Sequence, residues 1–427
     1  MSLVEILSHD DYLIQKHTVL HPLASVSRIG KKKLHNVGPS QKYVRFHDAV
    51  IDLSKDYCQS IFENTGGCAS IMKDDVLKRL DEHLLSHLVL VDGRYGRRLL
   101  LQTQGIPQGS IISTLLCNFY YGQMEKRLLS GTGLVGDCSA NSIGEKNGHH
   151  LLVRIVDDFL LISTNKLVSH NFVQCMANGD SQLGVRINEQ KTLTNYSTKL
   201  KRVNGCEEVM EKGTKQDESG KEFFPWCGLL FDTSSGEVLV DYSRFGHRKA
   251  INGITIDRSC AEGTAFKNCM KSFVKPRCQT YLFDPKINSS RVVATNFYQM
   301  MLLSAVKTGE YLYTGLSGGV AKNPNFIIRC IDDLIGYAYG RINSCVSNNK
   351  AEGKEFLGKR ECFYLSFDAF HFVLKTMVKQ YSDFDCSTLL VILRQRMTRS
   401  LIRSTGDLSD VIQLSRKQFD LHRIGHP

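Results

Sequence analysis

The spacing of hydrophobic and polar residues divides the chain into a mixed first part and a helical second part. In the first part, short β-forming runs bounded by turn residues alternate with stretches whose apolar positions recur at the helical period. These patterns predict an α+β unit that ends near residue 240. The predicted strands are Leu151–Val156, Phe159–Ser163, Trp226–Phe231 and Glu237–Val240, and the predicted helices are Ser110–Leu129 and Asn171–Leu183. The polar stretches Ser130–His150 and Lys199–Lys221 predict surface loops.

From about Asp241 the apolar positions recur at the helical period, which predicts a separate all-α domain. Basic residues in its last helix are spaced so that several share one face. Such a face is either a nucleic-acid contact or an ordinary solvated surface. The amphipathic stretches are Ser290–Thr308, Asn325–Tyr339, Phe363–Gln380 and Cys386–Ser404, and the arginines are Arg394, Arg396, Arg399 and Arg403.

Composition adds a basic balance to this picture. The 427 residues carry a formal net charge of +11, which attracts polyanions but is also found in proteins that bind no nucleic acid. The 14 cysteines are scattered without zinc-like spacing, so we expect reduced, mostly buried thiols of an intracellular protein. Since the best apolar run is interrupted by Arg154, Asp157 and Asp158, we expect no membrane helix and a soluble chain.

The sharpest chemical pattern is the pair Asp157 and Asp158, which stands in LLVRIVDDFLLIS between two apolar runs. The two runs predict a hairpin with the aspartates at its tip. Adjacent carboxylates repel each other unless a cation lies with them, and their hard oxygen atoms suit Mg²⁺. An acidic surface turn is the alternative. Such a turn does not need two hydrophobic arms, whereas a rigid support for metal ligands does.

A second pattern is a glycine-rich loop that runs directly into a predicted helix. Its glycines allow backbone to approach a ligand closely, its proline stiffens the loop, and its serine can cap a helix end that favours phosphate. By itself the loop also fits an ordinary turn with a good cap. Its residues are Gln104, Gly105, Ile106, Pro107, Gln108, Gly109 and Ser110.

Two further pieces follow the aspartates along the chain. Lys191, in GVRINEQKT, can hold or protonate a pyrophosphate leaving group, although such a lysine is usually only solvated. Trp226 is followed by Cys227 and Gly228, which predicts a tight hairpin against a nucleic-acid backbone, with core packing of the tryptophan as the alternative.

In this order the pieces resemble the palm of reverse transcriptases. The wording QGIPQGSIISTLLCNFYYGQME, LVRIVDDFLLIS, INEQKT and WCGLLFD looks specifically like telomerase reverse transcriptase. Ile155 and Val156 precede the aspartates, where retroviral and retrotransposon enzymes usually have an aromatic residue and a different small or apolar residue. The segments VATNFYQMMLLSA and KNPNFIIRCIDDL resemble the helical thumb of that family. The implied fold class is α+β, with a partial fingers and palm domain, an antiparallel sheet with helices, over 1–240 and an all-α thumb over 241–427.

The resemblance also implies an activity, the copying of an RNA template into telomeric DNA. Asp157 would be a ligand of two catalytic Mg²⁺ ions, with Asp158 as its neighbour in that site. The implied partners are the telomerase RNA template, a telomeric DNA primer and deoxynucleoside triphosphates, and the implied location is the nucleus, at chromosome telomeres. The implied nucleotide and template contacts are Gln104, Gly105, Pro107, Gln108, Gly109, Ser110 and Lys191, and the implied primer grip is Trp226, Cys227 and Gly228.

One family feature has no clear counterpart, because a further catalytic aspartate is expected on an earlier palm strand. The candidate is Asp52 in AVIDLSKDYCQSI, which follows a basic stretch that resembles the insertion after that strand. We therefore expect the true strand to precede residue 1 and the chain alone not to extend a primer at a normal rate. A catalytically inactive chain that still grips the RNA–DNA hybrid is the alternative function, and a retrotransposon or intron polymerase is a third.

Overall fold

A computed structural model describes most of the chain. The described residues are 11–22, 29–39, 46–56, 60–93, 96–129, 149–201, 207–217, 220–245, 254–255, 257, 259–314, 323–347, 357–381, 385–400 and 406–418. The chain divides into two compact units, Met1–Arg127 with Ile155–Asp157, and Leu128–Arg154 with Asp158–Pro427. Small antiparallel sheets and many helices confirm the predicted mixture of strand and helix. The predicted domain boundary near residue 240 stays a prediction.

The first unit contains a three-stranded antiparallel sheet that the sequence patterns did not predict. Its order is β2-β1-β3, and the β1–β3 register shifts between Gln15 and His17. The described residues of this unit also form a β4–β5 hairpin and three helices, the first of which lies between β2 and β3 in the chain. The strands are β1 (Asp11–Pro22), β2 (Ile29–Pro39), β3 (Ile61–Met72), β4 (Leu88–Gly93) and β5 (Gly96–Leu101), and the helices are α1 (Phe46–Asp56), α2 (Lys73–Leu85) and α3 (Ser113–Leu128).

In its described residues, the second unit begins with small antiparallel sheets and one helix. The β6–β7 and β8–β9 pairs form two-stranded sheets, and β10 to β13 form a four-stranded antiparallel sheet in chain order. The strands are β6 (His150–Ile155), β7 (Asp158–Ser163), β8 (Thr198–Lys201), β9 (Glu207–Met210), β10 (Lys215–Gln216), β11 (Glu222–Trp226), β12 (Leu229–Asp232) and β13 (Val238–Val240), and the helix is α4 (Lys166–Asn178).

Two sequence predictions for this region are corrected. The helix predicted at 171–183 lies earlier, because the Asn165 side chain accepts a hydrogen bond from the Leu167 amide and Gly179, at φ 65°, ends the helix. The predicted loop 199–221 contains β9 and β10 and overlaps β8, so it is partly strand. Ser130–Gly148, the main part of the other predicted loop, lies outside the described residues.

The rest of the second unit is helical, as the periodicity predicts. Long helices surround one apolar core, in which side chains such as Phe297, Ile331 and Phe370 are fully buried. The helices are α5 (Glu262–Val274), α6 (Thr280–Phe283), α7 (Ser290–Thr314), α8 (Pro324–Ser347), α9 (Lys359–Gln380), α10 (Ser387–Ser400) and α11 (Gly406–Gln418).

A polar network inside this helical core joins three helices. Tyr298 on α7 donates to the Asp368 carboxylate on α9 at 2.6 Å. Arg416 on α11 donates to the same Asp368 oxygen at 2.6 Å and to the Tyr298 hydroxyl at 3.0 Å. Its guanidinium also lies over the Phe372 ring, 4.1 Å from the centroid. Because each polar group finds a partner, the network fixes the position of α11 on the bundle.

Gly309 on α7 packs closely against Met377 and Leu374 on α9. A Cβ added there would lie 2.3 Å from Met377 Sδ and 3.2 Å from a Leu374 methyl carbon, whereas the exposed Gly336 in α8 has open space around it. Both glycines stand inside helices, so alanine gains helix propensity at each. We expect the free energy of unfolding of Gly309→Ala to be about 1–3 kcal/mol lower than that of Gly336→Ala, because only the first substitution overpacks the core. Urea unfolding of both variants measures this difference, and equal stabilities would contradict the close approach.

Two expectations about the whole chain can be compared with the described residues. Within them, no helix is long and apolar enough to cross a membrane. The nine cysteines whose side chains the structure describes form no disulfide. Three of these nine, Cys278, Cys330 and Cys362, are buried, so the expectation of mostly buried thiols is wrong for this part of the chain.

Candidate functional site

The two aspartates lie where the β6–β7 hairpin turns. Val156 and Asp157 form the turn, Asp158 begins β7, and both carboxylates are exposed. Leu160 on β7 is buried, and the open end of the hairpin is closed by a hydrogen bond between His150 Nδ1 and Ser163 Oγ at 3.0 Å. The predicted hairpin is therefore confirmed, and it places two carboxylates in solvent on an apolar support.

The second predicted piece, Trp226-Cys227-Gly228, also forms a tight hairpin. Trp226 and Leu229 are paired across β11 and β12, so Cys227 and Gly228 form a two-residue turn. Both have positive φ, 49° and 82°, as the twist of a type I′ turn requires. The Trp226 ring centroid lies 6.4 Å from that of Phe231. The predicted turn is confirmed, and its tip carries an exposed thiol.

The two hairpins meet at their tips, although the residues concerned are 69 positions apart. Cys227 Sγ lies 3.4 Å from Asp158 Oδ2, so the thiol donates a hydrogen bond to the carboxylate. The sequence predicted both turns but not this contact between them. It brings a predicted metal ligand and a predicted primer-grip residue to one place.

Two carboxylates that the sequence reasoning missed hold the sheet behind the Cys227-Gly228 turn. The backbone amide of Asp241 donates to the Gly228 carbonyl at 2.8 Å, and Lys215 Nζ donates to Asp241 Oδ2 at 2.9 Å. Asp232 is buried and accepts hydrogen bonds from Ser234 and Lys221. Each aspartate follows an apolar strand and precedes a serine two positions on, which is the signal of a side-chain-closed turn.

The pKa values of both carboxyl groups are lowered. Burial alone would raise them, but the hydrogen bonds that each carboxylate accepts outweigh burial, from Ser234, Ser235 and Lys221 for Asp232 and from Ser243 and Lys215 for Asp241. Both groups are therefore charged acceptors at neutral pH, and their stabilising effect is lost as pH falls below the range in which an unfolded aspartate titrates.

The glycine-rich loop lies in the first unit and has the predicted backbone freedom. Gly105 and Gly109 have φ values of 85° and 82°, and Pro107 is buried. The helix begins at Ser113, three residues later than predicted, because residues 110–112 form a turn. Ser110 Oγ accepts from the Ile112 amide at 3.4 Å, and the Ser113 hydroxyl donates to the Pro107 carbonyl. Ser110 therefore stands before the helix and does not cap it directly, while Gln104, Gln108 and Gly109 are exposed.

The two remaining candidates are Lys191 and Asp52. Lys191 is exposed at the end of the short 3₁₀ helix Glu189–Lys191, where its amide donates to the Asn188 carbonyl. Asp52 lies in helix α1 and not on a strand. Within the described residues, no group of three or more histidine, cysteine, aspartate or glutamate side chains is arranged to hold a metal ion.

Comparison with known proteins agrees with the sequence resemblance. Residues 264–390 match the family described as "Telomerase reverse transcriptase, C-terminal extension". The telomerase reverse transcriptase of Canis lupus familiaris is 31% identical over 252 residues, 59% of this chain, and that of Arabidopsis thaliana is 28% identical over 355 residues, 80% of this chain. Over these stretches the chain is similar to telomerase reverse transcriptases.

The chain matches only part of these telomerase relatives. It spans 21% of the Canis lupus familiaris protein and 30% of the Arabidopsis thaliana protein. Among solved structures, apo telomerase from Candida tropicalis matches 78% of this chain and 43% of its own chain, with 16% identity and a TM-score of 0.31. A second structure shows the same telomerase with a fragment of telomeric RNA.

Proposed function

We propose that this chain supplies the palm and thumb of an RNA-directed DNA polymerase that extends telomeric DNA from an RNA template in the nucleus, at chromosome ends. The observation that carries the proposal is the meeting of the Asp158 and Cys227 hairpins. In a polymerase, the metal-binding carboxylates and the primer terminus must lie together, because the primer 3′-hydroxyl is the nucleophile. The sequence match over 264–390 supports the same assignment for the helical part.

The carboxylate pair fits Mg²⁺ as the proposed cofactor. Asp157 and Asp158 are exposed oxygen ligands on a rigid hairpin, and Mg²⁺ is usually held by one or two carboxylates together with the phosphates of the substrate. When bound, a pair of Mg²⁺ ions would supply activation of the hydroxyl and neutralisation of the leaving pyrophosphate. The protein's own part is to hold two carboxylates at the place where the triphosphate and the primer end meet.

We assign the contacts with the incoming nucleotide and the template to the glycine-rich loop and Lys191. Gly105 and Gly109 have no side chain and adopt left-handed φ values, so the backbone there can come close to a base or sugar. Gln104 and Gln108 are exposed, and so is Lys191, whose charge suits a triphosphate. In this proposal these residues position the incoming deoxynucleoside triphosphate and form no covalent bond with it.

We assign part of the contact with the template–primer hybrid to the arginines of α10. Arg394 and Arg399 are exposed, whereas Arg396 lies 3.6 Å from Asp332 and is partly neutralised. Arg403 lies outside the described residues. Exposed arginines on one helix meet phosphates without reading sequence, which suits an enzyme whose template carries the sequence information.

A salt titration tests the hybrid assignment. We expect the logarithm of hybrid affinity to fall linearly with the logarithm of salt concentration, and Arg394→Ala and Arg399→Ala each to reduce that slope by about 1. Arg97→Ala is the matched control, because Arg97 is exposed but paired with Asp92 at 3.0 Å. Fluorescence anisotropy with a labelled hybrid measures the slopes. An affinity that does not change with salt would contradict the assignment.

The alternative function is a chain that binds the hybrid without extending it. One observation favours it, because Asp52, the candidate for a third carboxylate, lies on helix α1 and not on a strand. Hybrid binding without incorporation of radiolabelled nucleotide, with Mg²⁺ present, would establish this alternative. Incorporation that depends on Asp157 would establish the polymerase.

A further inference from the structure

The contact between Cys227 and Asp158 joins two unusual turns. Among the described residues, Val156 and Cys227 are the non-glycine residues with positive φ, at 58° and 49°. A β-branched or bulky residue rarely adopts this conformation, because its Cβ crowds the neighbouring carbonyl. Val156 lies two positions before Asp158, and Cys227 is the residue that reaches it. Backbone strain is thus retained on both sides of one hydrogen bond, as is common where a functional group must be held in place.

The thiol is suited to orient a carboxylate that also has to bind a cation. Asp158 is exposed, so without a partner its side chain would rotate freely in solvent. A thiol is a neutral and weak donor, so it fixes the rotation without cancelling the charge, as a lysine or arginine would. The bond uses Oδ2 alone and leaves Oδ1 available.

We propose that Cys227 is a positioning residue, whose thiol holds the Asp158 carboxylate in its metal-binding orientation and fixes the primer-grip turn against it. The inference rests on the proposed polymerase function and deepens it. In this arrangement a single side chain sets the distance between the primer terminus and the metal site. The bond is weak, so its loss changes the orientation of one ligand and leaves the fold intact.

The chain contains a matched control for this bond. Cys260 Sγ donates to Asp257 Oδ2 at 3.5 Å, the same pair of groups at nearly the same separation, but within one local turn of the chain. Cys260→Ala therefore removes a similar bond elsewhere. Cys227→Ala removes the donor at the candidate site, and Cys227→Ser restores a donor there.

The first measurement is binding of Mn²⁺ to the full chain, followed by electron paramagnetic resonance. We expect Cys227→Ala to weaken Mn²⁺ binding about threefold to tenfold, as loss of one hydrogen bond from a weak donor predicts, while Cys227→Ser and Cys260→Ala stay within about twofold of the unmodified chain. Thermal melting of all variants should be unchanged. A weakening that appears equally in Cys260→Ala, or that serine does not rescue, would overturn the positioning role.

The second measurement tests the geometry without any metal. Asp158→Cys places a thiol opposite Cys227, and mild oxidation should link residues 158 and 227, as peptide mapping by mass spectrometry would show. Failure of this link would overturn the inference whatever the metal data show. If the unmodified chain binds no Mn²⁺, or Asp157→Asn does not weaken the binding, the polymerase proposal fails and the inference fails with it. If Asp157→Asn abolishes binding but Cys227→Ala has no effect, only the inference fails.

Discussion

Replacement of Asp157 by asparagine is expected to lower the rate of primer extension, which we already expect to be below normal for this chain alone, by a further factor of about a hundred to a thousand or more. Asparagine keeps the size and one oxygen of the side chain but removes the negative charge that a metal requires. Phosphoryl transfer depends almost entirely on positioning and on electrostatic stabilisation. Loss of one charged ligand therefore reduces the stabilisation of the transition state by several kcal/mol. Asp158→Asn should be less severe, because in our proposal Asp158 supports the site beside Asp157.

Primer extension and hybrid affinity should be measured together. Asp92→Asn is the matched control, since Asp92 is an exposed carboxylate on the β4–β5 hairpin. Asp52→Asn should also leave the extension rate unchanged, because Asp52 lies in helix α1. Hybrid affinity should survive in every variant, as removal of an acidic group does not weaken contacts with phosphates. Full activity of Asp157→Asn, or its loss in Asp52→Asn without unfolding, would mean that the metal site has been assigned to the wrong carboxylates.

Replacement of Arg416 by alanine is expected to give the largest loss of stability among the changes considered, about 3 kcal/mol in the free energy of unfolding. The change leaves the Asp368 carboxylate with the Tyr298 hydroxyl alone, and it removes the cation from the Phe372 ring. Breaking one side of a buried ion pair costs about 3–5 kcal/mol. The lower end of this range applies because the Arg416 side chain is 31% exposed.

Urea unfolding of the helical part measures the effect of Arg416→Ala. Arg396→Ala is the control, because its pair with Asp332 is longer, at 3.6 Å, and more exposed, and such pairs contribute about 0–1 kcal/mol. A double variant, Arg416→Met with Asp368→Leu, should recover much of the loss, since it removes both charges at once. Equal effects of Arg416→Ala and Arg396→Ala would show that α11 is not held by the network.

Local signals in the sequence predicted some parts of the fold well. The β6–β7 hairpin with its two aspartates and the Cys227-Gly228 turn could be predicted because apolar β-forming runs flank residues that favour a turn. The long helices α7 to α10 were found because their apolar face recurs over several turns. The start of α3 was misplaced, since Ser110 looks like a cap but precedes a turn, and α4 was shifted because the Asn165 cap was overlooked.

Contacts between distant residues were beyond the reach of these signals. Nothing near Cys227 in the sequence indicates that its thiol meets Asp158, because the two residues lie 69 positions apart and a local pattern does not extend that far. The roles of Asp232 and Asp241 were also missed, although their turns have a local signature. The buried network of Tyr298, Asp368 and Arg416 depends on the packing of three helices, and a polar residue on an apolar helix face gives no hint of its partner.

The left-handed backbone at Val156 and Cys227 implies a trade-off between stability and function at the candidate site. Glycine or asparagine tolerates positive φ better than valine or cysteine does, so either would relieve strain at these two turns. A selection for thermal stability alone would therefore favour replacing both residues. A variant library sorted first by melting temperature and then by primer extension would lose the second property where it gained the first. In such an experiment, stabilising substitutions that abolish primer extension would concentrate at these two turns and so locate the functional site without any bound ligand.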